Sequence, residues 1–358
     1  MNVDAVRLAE LIVLARGRGA TDLHVGAGDA PTLRVNGRVT MLDVPALDAR
    51  ALESFLGTVL TEEQSRRWQS GDAVDGALRT GAAAPYRLHA YRTMAGPRLA
   101  FRFLAAEIPA LDALALPAIV ATFVTRTTGL IVFTGPTGSG KTTALAALID
   151  HLNRTTERVV VTVEDPVEYV HEPLRSVVAH CEIGRDAADY AGAIHGFMRA
   201  DPDVILAGEM RDRATMEAVL SAAETGHLVL STLHTIDAAQ TVDRIIDAFS
   251  SDVQSQIRTQ LASTLLAIVS LRLVPRANGE GRVAASEILI GTDAVRAMIR
   301  DGKTHQLRNA IATGRAAGMR TLETSLSDLV VRGTIALEAA RAAANRPAEV
   351  RDLERAES

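Results

Sequence analysis

The sequence predicts two α/β parts: a small α+β unit, then a larger layered unit in which a mainly parallel sheet is wrapped by helices. Three observations carry this prediction. The apolar segments LIVFT (Leu130–Thr134), VVVTV (Val159–Val163), VILAGE (Val204–Glu209) and LVLSTLH (Leu228–His234) alternate with helical stretches, the rhythm of strands covered on both faces. The earlier segments TLRVNGRVTML, YRLHAYRT and RLAFRFL instead alternate apolar with polar residues, the period of half-buried strands, and Asn36-Gly37 is a hairpin signal. Between the two parts, the proline-containing stretch EIPALDALALPAIVATFVTRTTG reads as a connector. The expected boundaries are therefore 1–107, a linker at 108–128, and 129–358.

Taken in order, the elements support this division. At the N-terminus, Leu8, Leu11 and Ile12, with Val6, Ala9 and Val13, have the spacing of an amphipathic helix. Asp4, Arg7 and Glu10 interrupt its apolar character, so it is not a signal peptide. The stretch TTALAALIDHLN sets Leu145, Leu148, Ile149 and Leu152 on one helical face, the stripe that docks on a sheet. Beyond about residue 250 the chain reads as helices. There MRTLETSLSDLVVRG carries Leu322, Leu326 and Leu329 at helical spacing and Gly333 as a stop, and the charged tail RAAANRPAEVRDLERAES is expected to fray.

Bulk properties set the outer limits. A chain of 358 residues suffices for two domains, at ~100 to 200 residues each, and a hydrophobic share of 47% supports real cores. The net charge of −5 gives no case for nucleic-acid binding. One cysteine, Cys181, excludes a disulfide framework and a four-cysteine zinc site. The longest apolar run, LALPAIVATFV, covers only 114–124, against the ~20 residues a bilayer span needs. The expected compartment is the reducing cytosol.

The strongest motif is GPTGSGKTT: Gly135, Pro136, Thr137, Gly138, Ser139, Gly140, Lys141, Thr142 and Thr143. It follows a predicted strand and opens a predicted helix, the context a phosphate-binding loop requires. Glycines let backbone N–H groups turn inward around a phosphate, and the helix offers its positive end. Lys141, one of only two lysines, would reach the β- and γ-phosphates, and the Thr142 hydroxyl would hold Mg²⁺. The implied ligands are ATP and Mg²⁺.

Chemistry in such sheets gathers beyond the carboxyl ends of the strands, so the other strand ends become candidates. Glu164 and Asp165 close VVVTVEDP and could polarise a water or hold the metal's hydration shell. Glu209 follows VILAG and is expected to face the γ-phosphate and the metal. Gly208 precedes it where many such ATPases carry an aspartate. His234 ends the fourth strand, a position from which it could sense phosphate, and His227 at that strand's amino end is a second candidate for the nucleotide site.

These residues resemble the secretion ATPases of type II secretion and type IV pili, and within them the pilus retraction ATPases. GPTGSGKTT, TVEDPVEYVH, DPDVILAGEMRD and TGHLVLSTLHTIDAAQTVDRIID carry the likeness, and RGATDLHVGAGDAPTLRVNG looks like the family's opening domain. Glycine before the acidic residue of the third block is itself a family habit. The resemblance implies a small PAS-like N-terminal domain and a RecA-like P-loop ATPase domain with a helical C-terminal part. It also implies a homo-oligomeric, hexameric motor that powers pilus retraction. The motor would work on the cytoplasmic side of the inner membrane, against a membrane platform protein and beside a paralogous ATPase. Arg87 and Arg102 match the family's N-terminal arginines, which would reach the γ-phosphate as arginine fingers, with Arg98 a weaker candidate. AVRAMIRD stands where retraction members place a short helix.

Three departures stand out: His195 where relatives carry arginine, His180-Cys181 for glutamine and arginine, and Leu271 for glutamine. They leave open a non-catalytic or weakly active nucleotide-binding accessory paralogue in a pilus or secretion ATPase ring; a pilus assembly or type II secretion ATPase is a further alternative. A DNA-translocating ring is disfavoured by the acidic balance.

Overall fold

The computed structural model describes residues 3–35, 38–78, 86–103 and 108–351. The chain divides into two compact units, 1–107 and 108–358.

The first unit holds a six-stranded antiparallel sheet. Its strands are β1 (Asp22–Gly26), β2 (Thr32–Val35), β3 (Arg38–Met41), β4 (Val74–Leu78), β5 (Tyr86–Thr93) and β6 (Gly96–Phe103), in the order β3-β2-β1-β6-β5-β4. Helices α1 (Val3–Gly17), α2 (Ala49–Val59) and α3 (Glu62–Gln69) accompany it. Leu8, Leu11 and Ile12 of α1 and Leu52, Phe55 and Leu56 of α2 share one core with Leu23, Val25, Leu88, Leu99 and Phe101, while Val13 stays exposed. Alternation along β5 and β6 buries Tyr86, Leu88, Leu99 and Phe101 and turns Arg87 and Arg102 to the opposite face. In the expected hairpin Val35 pairs with Arg38; Asn36 and Gly37 lie outside the described residues.

The second unit holds seven strands: β7 (Gly129–Thr134), β8 (Val159–Glu164), β9 (Val177–Glu182), β10 (Val204–Ala207), β11 (Leu228–Leu233), β12 (Leu265–Pro275) and β13 (Arg282–Ile290). Their order is β13-β12-β7-β11-β10-β8-β9, parallel except for the β12–β13 hairpin. The helices are α4 (Ile119–Thr122), α5 (Lys141–Thr155), α6 (Tyr190–Phe197), α7 (Arg213–Glu224), α8 (Ala238–Asp247), α9 (Gln254–Thr264), α10 (Asp293–Arg300), α11 (Leu307–Thr313), α12 (Leu322–Val331) and α13 (Leu337–Ala343). Successive residues of β7 serve opposite faces: Ile131 and Phe133 pack with Leu145 and Leu148 of α5, whereas Leu130 and Val132 pack with Met216 and Val219 of α7 and Val242 of α8. Both faces being covered explains why β7, β10 and β11 are apolar without alternation.

Three expectations need correction. Residues 108–128 are not a free linker. They form short helices whose Leu111, Val120, Phe123 and Val124 enter the second unit's core beside α5, because so apolar a stretch is stabilised by leaving water. The region beyond 250 is not all helical, since β12 and β13 extend the sheet. The tail does not fray before 351: Val350 is buried and the Arg351 N–H donates to Ser327 Oγ at 2.9 Å. The predicted stripes do dock: Leu145, Leu148, Ile149 and Leu152 of α5 and Leu322, Leu326 and Leu329 of α12 are all buried. AVRAMIRD lies on α10, capped by Thr292.

Candidate active site

Four strand ends meet along one edge of the second sheet, because β7, β11, β10 and β8 are consecutive neighbours and run parallel. β7 leads into the loop 135–140, where Gly135, Gly138 and Gly140 have φ of +140°, +76° and +94°, conformations open to glycine. At Gly135 a Cβ would also lie 2.5 Å from the Leu271 carbonyl oxygen and 2.6 Å from Ser139 Oγ, so the loop closes against β12 only with no side chain there. Leu271, a departure from the family pattern, is buried and meets the loop through its backbone.

Helix α5 starts at Gly140 without a side-chain cap, whereas α6, α7 and α8 are each capped by an aspartate, Asp189, Asp212 and Asp237. An uncapped first turn leaves N–H groups and positive helix potential for an anion. Ser139 Oγ, buried among the described residues without a partner, adds an unsatisfied polar atom to the same loop. The residues present therefore fit a phosphate chain. Thr143 Oγ1 meets the Tyr169 hydroxyl at 3.1 Å, tying the start of α5 to the segment after β8; Thr137 is exposed.

Lys141 is buried and donates to Gly135 O at 2.7 Å and Pro136 O at 3.2 Å. Its Nζ is 3.3 Å from His234 Nδ1, and His234 Nε2 is 3.0 Å from Glu209 Oε1. An ammonium can only donate, so His234 accepts at Nδ1 and gives its Nε2 proton to Glu209. Burial lowers the Lys141 pKa, and the Glu209 charge pulls it back up. Arg211 Nε donates to the other Glu209 oxygen at 2.8 Å and its NH1 reaches Asp165 Oδ2 at 3.3 Å. Lysine, histidine, glutamate, arginine and aspartate thus form one continuous polar chain across four strand ends.

Backbone bonds hold that chain in place. Gly208 N–H donates to Val163 O at 2.8 Å, Thr232 Oγ1 donates to Gly208 O at 2.7 Å, and Met210 N–H donates to Thr232 O at 3.1 Å. Glu209 is therefore clamped between β8 and β11. A Cβ on Gly208 would lie 3.2 Å from Val163 O and 3.3 Å from the Tyr190 hydroxyl, which leaves little room for an aspartate. Tyr190, which the sequence reading missed along with Arg211 and Tyr169, stands among three acids. Burial first, then the charges of Asp165, Glu209 and Glu164, push its hydroxyl well above the ordinary tyrosine range, so it stays a donor.

Glu164 ends β8 with 11% of its side chain exposed and its Oε1 3.9 Å from His180 Nδ1. His227 is not brought to the loop of its own chain. It sits at the amino end of β11, with Nδ1 3.0 Å from Ala222 O, and a six-residue strand at ~3.3 Å per residue separates it from His234. In the first unit, Arg87 and Arg102 are direct cross-strand partners. Arg102 Nε donates to the buried Asp22 at 2.9 Å, which offsets the like-charge repulsion of such a pair. Arg98 pairs with Asp29.

A family model described as Type II/IV secretion system protein matches residues 78–355. The chain belongs to that family. It is 38% identical over 95% of its length, and 98% of the relative's, to the Type IV pilus retractation ATPase PilT of Pseudomonas aeruginosa. It is 40% identical to a Twitching motility protein of Neisseria gonorrhoeae, over 87% of this chain and 83% of that one. Among solved structures, the Pilus Retraction Motor PilT with bound ADP superposes with a TM-score of 0.89 at 38% identity, covering 99% of both chains. The likeness spans both units and every strand end that carries an acid or the histidine.

Proposed function

We propose that this chain is an ATP-hydrolysing motor subunit of the pilus-retraction kind, with ATP held at Gly135–Thr143. The observation that carries the reading is the polar chain from Lys141 through His234 to Glu209, which links the phosphate loop to a strand-end acid. Bound phosphate competes for the Lys141 ammonium now given to two loop carbonyls and His234, and so changes the partners of Glu209. Thr142 and Glu209 would hold Mg²⁺, an ion commonly held through few protein ligands plus phosphates and waters. When bound, Mg²⁺ neutralises charge between the β- and γ-phosphates. Glu164 supplies a base toward the attacking water, with Asp165 and Arg211 beside it. Arg87 and Arg102 supply positive charge to the transition state. Family likeness supports a hexameric ring acting on a platform protein at the cytoplasmic face of the inner membrane. Among the described residues no helix is long and apolar enough to cross a membrane.

The test uses purified protein. Glu209→Gln should retain ATP binding while steady-state phosphate release falls ~10²-fold or more, the scale of losing a positioned acid or base. Lys141→Ala should lose binding and turnover together. Near-normal release by the glutamine variant would remove Glu209 from the reaction.

A further inference from the structure

We propose that His180 is a positioning residue for Glu164, its Nδ1–H orienting the carboxylate from the neighbouring strand without neutralising it. This rests on Glu164 acting in the hydrolysis proposed above. In the β8–β9 ladder Thr162 lies opposite His180 and Glu164 opposite Glu182, and Thr162 and Glu164, two residues apart, share one face of β8. His180 and Glu164 have 14% and 11% of their side chains exposed, so little water intervenes.

The tautomer follows from the hydrogen bonds. The His171 backbone N–H donates to His180 Nε2 at 3.1 Å, so Nε2 must keep its lone pair and a neutral ring carries its proton on Nδ1. That N–H donates to Thr162 Oγ1 at 2.9 Å and lies 3.9 Å from Glu164 Oε1. The second distance is too long for a hydrogen bond but close enough for the positive end of the N–H dipole to favour one carboxylate orientation. His171 stacks on the ring, centroids 5.7 Å apart and planes 13° apart. Burial and the neighbouring His180 lower the His171 pKa to about 4, so it adds no cation. Glu182 accepts the Val167 N–H at 3.1 Å and is committed to the loop that follows β8.

The contrast with Glu209 gives the arrangement its chemical sense. Glu209 already accepts from the Arg211 guanidinium at 2.8 Å and the His234 Nε2–H at 3.0 Å. Glu164 has the His180 Nδ1 3.9 Å from its Oε1 and is aimed without being committed to a hydrogen bond there.

Two substitutions separate positioning from scaffolding. His180→Gln keeps an acceptor near Nε2 for the His171 N–H and loses the Nδ1–H. His180→Asn keeps a donor near Nδ1 and loses the acceptor. In full-length assembled protein, His180→Gln should lower kcat roughly tenfold at unchanged KM for ATP, and His180→Asn should stay within about threefold of the parent. Adding His180→Gln to Glu164→Gln should cost nothing further, because the residue acts through the one already lost. Parental kcat in His180→Gln, a His180→Asn variant worse than His180→Gln, a matching rise in KM, or an additive loss in the double variant would each overturn the proposal. A fully active Glu164→Gln would instead remove the underlying reading. If His180→Gln fails to assemble, an inactive but folded His180→Asn still overturns it.

Discussion

Glu164, Glu209 and Gly208 show how neighbours assign roles at a strand end. Two glutamates on adjacent strands are chemically identical in isolation. One is clamped by backbone bonds and faced by Arg211 and His234; the other has the His180 imidazole 3.9 Å away. Between them, Gly208 is small because Val163 O and the Tyr190 hydroxyl occupy the space a Cβ would need. Gly208→Ala should therefore destabilise the unit by about 1–3 kcal/mol, the usual cost of overpacking, and lower turnover by displacing Tyr190. Chemical denaturation reads the first effect and phosphate release the second. Removing the hydroxyl with Tyr190→Phe should recover part of the stability lost by Gly208→Ala, because it takes away one of the two crowding atoms.

At the scale of elements, a buried carboxyl joins β13 to the start of α8, just after the His234 segment. Buried Glu287 on β13 accepts the Ala238 N–H at the start of α8 at 3.0 Å. Burial is the largest influence on it and lifts its pKa from 4.5 to about 7. A carboxyl whose folded pKa is raised binds its proton more tightly in the folded chain. Its contribution to stability is complete below 4.5 and is lost as pH rises through about 7. Glu287→Gln, which keeps an acceptor for Ala238, should flatten that dependence and raise the melting temperature at pH above 7, as followed by thermal melts across the range. The strands that sequence reading missed, β12 and β13, are buried on both faces through their middles. A mostly apolar run such as LLAIV, at the start of β12, has no period-two alternation to separate strand from helix. The stripe of α5 was legible because its large apolar residues, Leu145, Leu148, Ile149 and Leu152, recur at helical spacing among alanines, even though Ala144 to Ile149 are buried without a break.

For the whole molecule, the phosphate loop and the acids belong to the second unit, and the proposed arginine fingers Arg87 and Arg102 belong to the first. If the arginines complete sites in a ring, Arg87→Ala should depress turnover in assembled protein by ~10³-fold or more, the scale reported for arginine fingers, with ATP affinity little changed. Hydrolysis at the parental rate in an intact ring, with assembly checked by light scattering, would withdraw the role. The arginines were found through family likeness, since a strand-face arginine has no local signature of its own. Their direct pairing across β5 and β6 became visible only with the register.

By itself the sequence determined the local features: the phosphate loop, the acid or histidine at each of three strand ends, the docking stripes and the family. Each is encoded within a few consecutive residues, where backbone geometry and periodicity act directly. The tertiary structure alone decided which of these groups touch. Lys141 and His234 are 93 residues apart in the chain and meet because β11 lies between β7 and β10. The same sheet order sets His180 beside Glu164, and packing draws residues 108–128 into the second core. Contact between distant residues is governed by strand order and register, which depend on how all the buried faces pack together.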